Sequence, residues 1–279
     1  MLKQRIITAV ILLALLLPAL LASATQPLAL LTLVMIAAAA WEWGRLNGLG
    51  IRGALRCAAS CLVICLLTWA ARWAYEPPLF LWPLVGVFWV LGGIWLIGRG
   101  VEGWPLIPRS VRLIGGVLAL WACWLAMFQA KISGVNFLFS LLLVVWMADI
   151  AAYFSGRAFG RHKLAVHISP GKSWEGVWGG MLGVILMAGI WVWIDAQWPS
   201  DSLSLFSRLY AHGWFFFLLA TLFLVAMSVL GDLVESLVKR SADMKDSSHL
   251  LPGHGGVLDR VDALLPTLPL ALMLLQSLQ

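Results

Sequence analysis

Asn136-Phe-Leu-Phe-Ser-Leu-Leu-Leu-Val-Val-Trp-Met-Ala-Asp149-Ile-Ala-Ala-Tyr-Phe-Ser155 is a run of twenty residues in which Asp149 is the one charged side chain. Twenty helical residues rise about 30 Å, the thickness of a bilayer's hydrocarbon core. The run therefore predicts a membrane-spanning helix. A carboxylate at that depth costs on the order of 2.5–3.5 kcal/mol even on the lenient insertion scale. Asp149 is accordingly expected to face a polar cavity, to have a partner there, and to take part in substrate binding.

Similar runs recur in both directions, at about 6–22, 28–43, 54–72, 79–98, 112–130, 174–194, 213–231 and 262–278. With 136–155 they make nine. The chain is 62% hydrophobic and 11% charged, too little polar surface to enclose a soluble core of this composition. No polar block is long enough for a separate soluble domain. The fold expected is an all-α polytopic membrane protein, one membrane domain over 1–279, with N-terminal spans in 1–135 and catalytic spans and loops in 136–279. Lys3 and Arg5 followed by an apolar stretch ending Ala22-Ser23-Ala24 resemble a cleavable leader, but the eight later spans favour an uncleaved first helix.

The net charge of +6 does not point to nucleic acid, because the Lys and Arg residues lie in short loops and form no continuous basic face. Assigning alternate sides to successive loops puts 16 of the 19 cations on one side, and leaves Arg72, Lys131 and Arg208 on the other. Positively charged loops stay in the cytoplasm, so the N-terminus is expected there and the C-terminus on the periplasmic side. Most of the 17 Trp residues stand toward the ends of the apolar runs, where indoles settle at the headgroup level. Cys57, Cys61 and Cys65 form a stripe at helical spacing without a nearby His or acid, and Cys123 lies in another span. They read as packing residues, and no disulfide is expected.

Two loops on the cytoplasmic side carry most of the chemistry. The second contains Gly231-Asp232-Leu-Val-Glu235-Ser236-Leu-Val-Lys239-Arg240, then Asp243-Met-Lys245-Asp246, then Pro252-Gly-His254-Gly255-Gly256-Val-Leu-Asp259-Arg260-Val-Asp262. Interleaved acids and bases of this density suit a nucleoside triphosphate. Carboxylates hold a divalent metal, Lys and Arg offset the remaining phosphate charge, and glycines let backbone amides approach. Asp259 and Asp262 share a helical face, and Asp232 stands where the eighth span leaves the membrane, so the three can converge on one cation. The competing reading is ion pairing at helix ends.

The other loop holds Ser169-Pro170-Gly171-Lys172-Ser173-Trp174-Glu175. It is not a nucleotide-binding P-loop, since Val166 occupies the position of the first glycine and no strand is expected before it. It opens a helix at 174, whose free amides favour an anion near Ser169, Lys172 and Ser173. Gly176/Gly180 and Gly179/Gly183 in that helix predict a close helix contact.

The run Ser236-x-Val238-Lys239-Arg240-x4-Lys245-Asp246-x-Ser248-x2-Leu251-Pro252-x-His254-Gly255-Gly256-Val257-x-Asp259-Arg260-Val261-Asp262 resembles the signature of phosphatidate cytidylyltransferases. The resemblance continues upstream through Asp149, Tyr153, Gly156, Gly160 and Ser169 to Gly176, about the C-terminal half; the N-terminal spans match in hydropathy alone. It implies transfer of CMP from CTP to phosphatidic acid, giving CDP-diacylglycerol and pyrophosphate, at the cytoplasmic face of a bacterial inner membrane. It further implies magnesium on Asp232 and Asp259 with Asp262 as an added ligand or partner, admits a second cation, and suggests a homodimer. Lys239, Arg240, Lys245 and Arg260 would then contact phosphates, with Asp246 beside them. Glu175, Gly255, Gly256 and His254 fall to substrate binding; His254 is expected to be structural or phosphate-binding, because an ionised phosphate nucleophile needs little proton abstraction.

Three alternatives remain to be separated. A CTP-dependent polyprenol or phytol kinase would attack the γ-phosphorus and release CDP. CDP-alcohol phosphotransferases carry an Asp-Gly-x2-Ala-Arg pattern that this chain lacks. A transporter would distribute its acids along a pathway, whereas here they gather at one membrane face.

Overall fold

The computed structural model describes the backbone of residues 2–277 and the side chains from residue 6 onward. Each apolar run forms a helix or a pair of stacked helical segments. In chain order these are α1 (Leu2–Leu21), α2 (Gln26–Leu46), α3 (Ile51–Ala70), α4 (Leu81–Val87) running through a π-helical turn at Phe88–Gly92 into α5 (Gly93–Gly103), α6 (Arg109–Ile132) and α7 (Val135–Phe159). A two-stranded antiparallel hairpin follows, β1 (Lys163–Ala165) and β2 (Ser169–Ser173), then α8 (Trp174–Gln197), α9 (Leu205–Tyr210), α10 (Trp214–Ser241), α11 (Leu258–Val261) and α12 (Leu264–Gln276).

Seven of these helical stretches are long and apolar enough to cross a bilayer, which makes this a polytopic membrane protein. The last of the nine expected spans is shorter. It is α12, with 13 residues and a rise of about 20 Å against a hydrocarbon core of about 30 Å, whereas α1 has 20 residues. The hairpin is the one departure from an all-α fold among the described residues. It forms because Pro170 and Gly171 keep the chain extended until Ser173, whose Oγ accepts the Gly176 N–H at 3.2 Å and caps α8.

The expected glycine stripe makes the closest helix contact. A Cβ added at Gly180 would stand 3.0 Å from the Ala148 carbonyl oxygen, and one at Gly183 would stand 2.6 Å from the Ala151 Cβ. Only glycine lets α8 lie so near α7, which fixes the β2 loop against Asp149. Around Trp124 and Phe128, α2, α3 and α6 pack into a second bundle. Cys57, Cys61, Cys65 and Cys123 are free thiols buried within it.

Candidate active site

Four carboxylates meet where α10, α11 and α12 come together. Asp232 and Glu235 are three residues apart on α10, hence on one face. Asp262 sits in the bend between α11 and α12. One oxygen from each of these three lies within 4.8 Å of the others. The backbone permits this because Gly231 has no side chain: a Cβ there would stand 2.6 Å from the Asp262 carbonyl oxygen.

Asp259, expected beside Asp232, is held differently. Its Oδ1 lies 2.7 Å from Lys239 Nζ, and its carboxylate accepts the Ser247 N–H, the Ser247 hydroxyl at 3.0 Å and the Gly256 N–H at 2.7 Å. Burial opposes its charge, but hydrogen bonding along the Glu235, Lys239 and Asp259 chain together with the Gly256 N–H outweighs this and holds the carboxyl at about 2. Lys239 bridges the two groups, with Nζ also 2.6 Å from Glu235 Oε2.

The acidic cluster borders a polar cavity of about 500 Å3, within the range of ligand pockets. Asp149, Lys172, Ser173 and Asp232 line it, and Lys172 Nζ lies 2.5 Å from Asp232 Oδ2. The β-hairpin thus delivers a cation onto a carboxylate of α10, 60 residues further along the chain; Asp232, Lys239 and Arg240, expected in a loop, stand on that helix. Ser169, at the start of β2, is half-buried. Glu175 turns away to His162, with 2.6 Å between Oε1 and Nδ1.

The remaining expected residues surround this centre. Arg240 Nε donates to the Ile168 carbonyl at 3.5 Å, tying α10 to the hairpin turn. Lys245 and Asp246 are exposed. Arg260 donates through Nε and Nη2 to the His254 carbonyl at 3.1 and 2.5 Å. Gly255 has φ +84°, which lets the loop turn back so that Leu251 N–H reaches its carbonyl at 2.9 Å. The amides expected to approach phosphates serve protein carboxylates instead, since Gly256 N–H goes to Asp259 and the next two go to a residue from the far end of the chain.

That residue is Glu42, on α2. Fully buried, it accepts Val257 N–H at 3.0 Å, Leu258 N–H at 2.7 Å, the Ser247 hydroxyl at 3.2 Å and the Ser248 hydroxyl at 2.5 Å. Sequence reasoning passed over it; the available signal was a lone carboxylate between Trp41 and Trp43 at the end of an apolar run. Glu235 was missed as well, although its spacing from Asp232 places both on one helix face.

The arrangement suits a divalent cation. At 4.8 Å and an effective dielectric of about 20, each pair of carboxylates repels by about 3 kcal/mol, and Lys172 and Lys239 offset only two of three charges. Glu235 Oε1 is buried without a partner, as an open ligand position would be, while Oε2 is engaged by Lys239. A multispan helical protein with carboxylates and lysines at the edge of a polar cavity has the form of a membrane-embedded phosphate-group transferase. Residues 3–278 match the cytidylyltransferase family, and the chain belongs to it. It is 37% identical over 280 residues to a phosphatidate cytidylyltransferase of Pseudomonas aeruginosa, covering 99% of this chain and 97% of that one. Shorter matches link it to phosphatidate cytidylyltransferases of Haemophilus influenzae, 47% identical over 49% of this chain and 44% of that one, and of Bacillus subtilis, 41% identical over 51% and 48%.

Proposed function

We infer that this chain transfers the cytidylyl group of CTP to phosphatidic acid, forming CDP-diacylglycerol and pyrophosphate. The observation that carries the reading is the acidic cluster at the edge of a polar cavity, in a chain related over nearly its full length to a phosphatidate cytidylyltransferase. A phosphate oxygen of the lipid bonds to the α-phosphorus of CTP. The bond from that phosphorus to the bridging oxygen breaks, and its electron pair leaves with pyrophosphate. Magnesium bound at the site would neutralise charge on the phosphates. Asp232, Glu235 and Asp262 are the residues placed to hold it, while Asp259 keeps Lys239 charged and oriented. Lys172 stands where phosphate oxygens in the polar cavity would need a cation, and Asp149 lies on the same wall.

The test uses the purified full chain with CTP labelled separately at the α and γ positions, phosphatidic acid and magnesium. The α label is expected in the lipid product and the γ label in pyrophosphate. Release of CDP with the γ label on lipid would replace this reading with a kinase.

Nine crossings of a bacterial inner membrane, with the N-terminus and active site cytoplasmic, complete the proposal. Its support is the charge bias, together with two of the three exceptions to it. Lys131 Nζ is tied to the Leu20 and Ala22 carbonyls at 2.7 and 2.8 Å, and Arg208 Nη2 to the Ser133 carbonyl at 3.2 Å. Cations engaged in this way satisfy the protein and weaken the topological signal least. Ser247 is fully buried, so His249 and Leu203, both exposed, are the informative positions for labelling. On a cysteine-free background, an impermeant thiol reagent added from the periplasmic side is expected to modify Leu203→Cys and spare His249→Cys. The reverse pattern defeats the orientation. The homodimer is supported by family resemblance, and the mass of the detergent-solubilised particle checks it.

A further inference from the structure

A second cavity, of about 160 Å3, lies against a different face of α10 from the polar one. Asp232 borders the first; Gly231, Val234 and Glu235 border the second. Residues of the acidic cluster therefore border both spaces.

The walls of this second space are almost wholly apolar, yet among the lining residues three buried N–H groups have no acceptor in the protein: Trp89 Nε1, Trp104 Nε1 and Arg112 Nε. Trp89 and Trp104 are each only 4% exposed. Donors buried without partners are costly and uncommon, so three around one space call for an acceptor that arrives with a ligand. The Arg112 guanidinium lies 5.7 Å from the centre of the Trp104 ring, adding a fixed positive charge. On the outer side the lining includes Phe88, Trp95 and Val111, each between 46% and 56% exposed, where lipid chains would meet the helices. The π-helical turn at Phe88–Gly92 forms part of the wall, and such turns recur at functional sites.

A nucleoside triphosphate with its ribose does not fit apolar walls and one guanidinium. A single phosphate carrying hydrocarbon does. We propose that this cavity binds phosphatidic acid, its phosphate on Trp89, Trp104 and Arg112 and its acyl chains leaving past Phe88, Trp95 and Val111. CTP occupies the polar cavity, and the substrates meet at the acidic cluster from two faces of α10. This assignment rests on the function inferred above.

Gly115 allows a direct test, because an added Cβ would meet only the Phe88 ring, at 3.7 Å. A larger side chain there occupies the cavity without displacing backbone. In the purified full chain, Gly115→Leu and Trp104→Phe are each expected to raise KM for phosphatidic acid about tenfold, with KM for CTP unchanged. An unchanged lipid KM in both variants, or a rise in the CTP KM instead, overturns the proposal. A second measurement needs no variant: phosphatidic acid with a photoreactive group beside its phosphate is crosslinked to the wild-type protein. Adducts are expected within 88–96 and 104–116. Adducts confined to 148–180, or to α1 and α2, overturn it. CDP-diacylglycerol formation is read in the same wild-type preparation, and its absence would sink the functional inference independently of where the lipid crosslinks.

Discussion

Asp232→Asn and Asp262→Asn are each expected to reduce turnover by about three orders of magnitude or more while the protein still inserts and folds. Asparagine keeps the size and most of the hydrogen bonding but removes the charge that balances a cation. CTP and phosphatidic acid are both anionic, and repulsion between nucleophile and donor has to be offset at the point of reaction. Because Asp232, Glu235 and Asp262 converge within 4.8 Å, the Asp232/Asp262 double variant should be scarcely worse than the worse single variant. Asp259→Asn provides the contrast. Its carboxylate serves Lys239 and the 247–256 loop, so its loss should lower turnover without shifting the magnesium concentration needed for half-maximal rate. A near-normal rate for Asp232→Asn across a magnesium titration would reduce the cluster to structural ion pairing. A magnesium shift in Asp259→Asn would return that residue to the ligand set.

Glu42→Ala is expected to cost about 3 kcal/mol or more of stability and to lower turnover about a hundredfold, although Glu42 lies on none of the loops bearing the catalytic signature. Hydrogen bonds to a charged acceptor contribute about 1.5–3 kcal/mol each, and this carboxylate accepts four of them. Removing it leaves Val257 and Leu258 amides buried without acceptors immediately before Asp259. The loop would then relax, and Asp259 and Lys239 would lose their register against the cluster. Thermal melting, proteolysis within 242–257 and steady-state kinetics measure the three consequences. Glu42→Gln, with one acceptor oxygen instead of two, should fall between the wild type and Ala. Wild-type turnover and protease protection in the Ala variant would show that the loop holds its shape without this anchor.

Hydropathy decided the class of this protein because transfer from water to hydrocarbon depends on composition over some twenty consecutive residues and not on their partners. The helices, the glycine contact between α7 and α8 and the concentration of chemistry in two stretches of the chain could all be read from the sequence, although Asp232, Lys239 and Arg240 proved to extend helix α10 and not to lie in a loop. Asp149, Lys172 and Asp232 could be singled out because charge close to apolar runs is conspicuous, and the signature around Asp259 pointed to the family. Which acids face one another was a different kind of question. Asp232 and Asp259 stand 27 residues apart with a folded loop between them, and only the bend after α11 and the bare Gly231 backbone select Asp262 and Glu235 as the neighbours of Asp232. Glu42 is more than 200 residues from the amides that it holds, a distance over which no local periodicity carries information. The division of the site into a polar and an apolar cavity likewise depends on which face of α10 each neighbouring helix covers. Local patterning determined what this chain is made of and that it spans a membrane; helix packing decided which carboxylates stand together and which cavities they border.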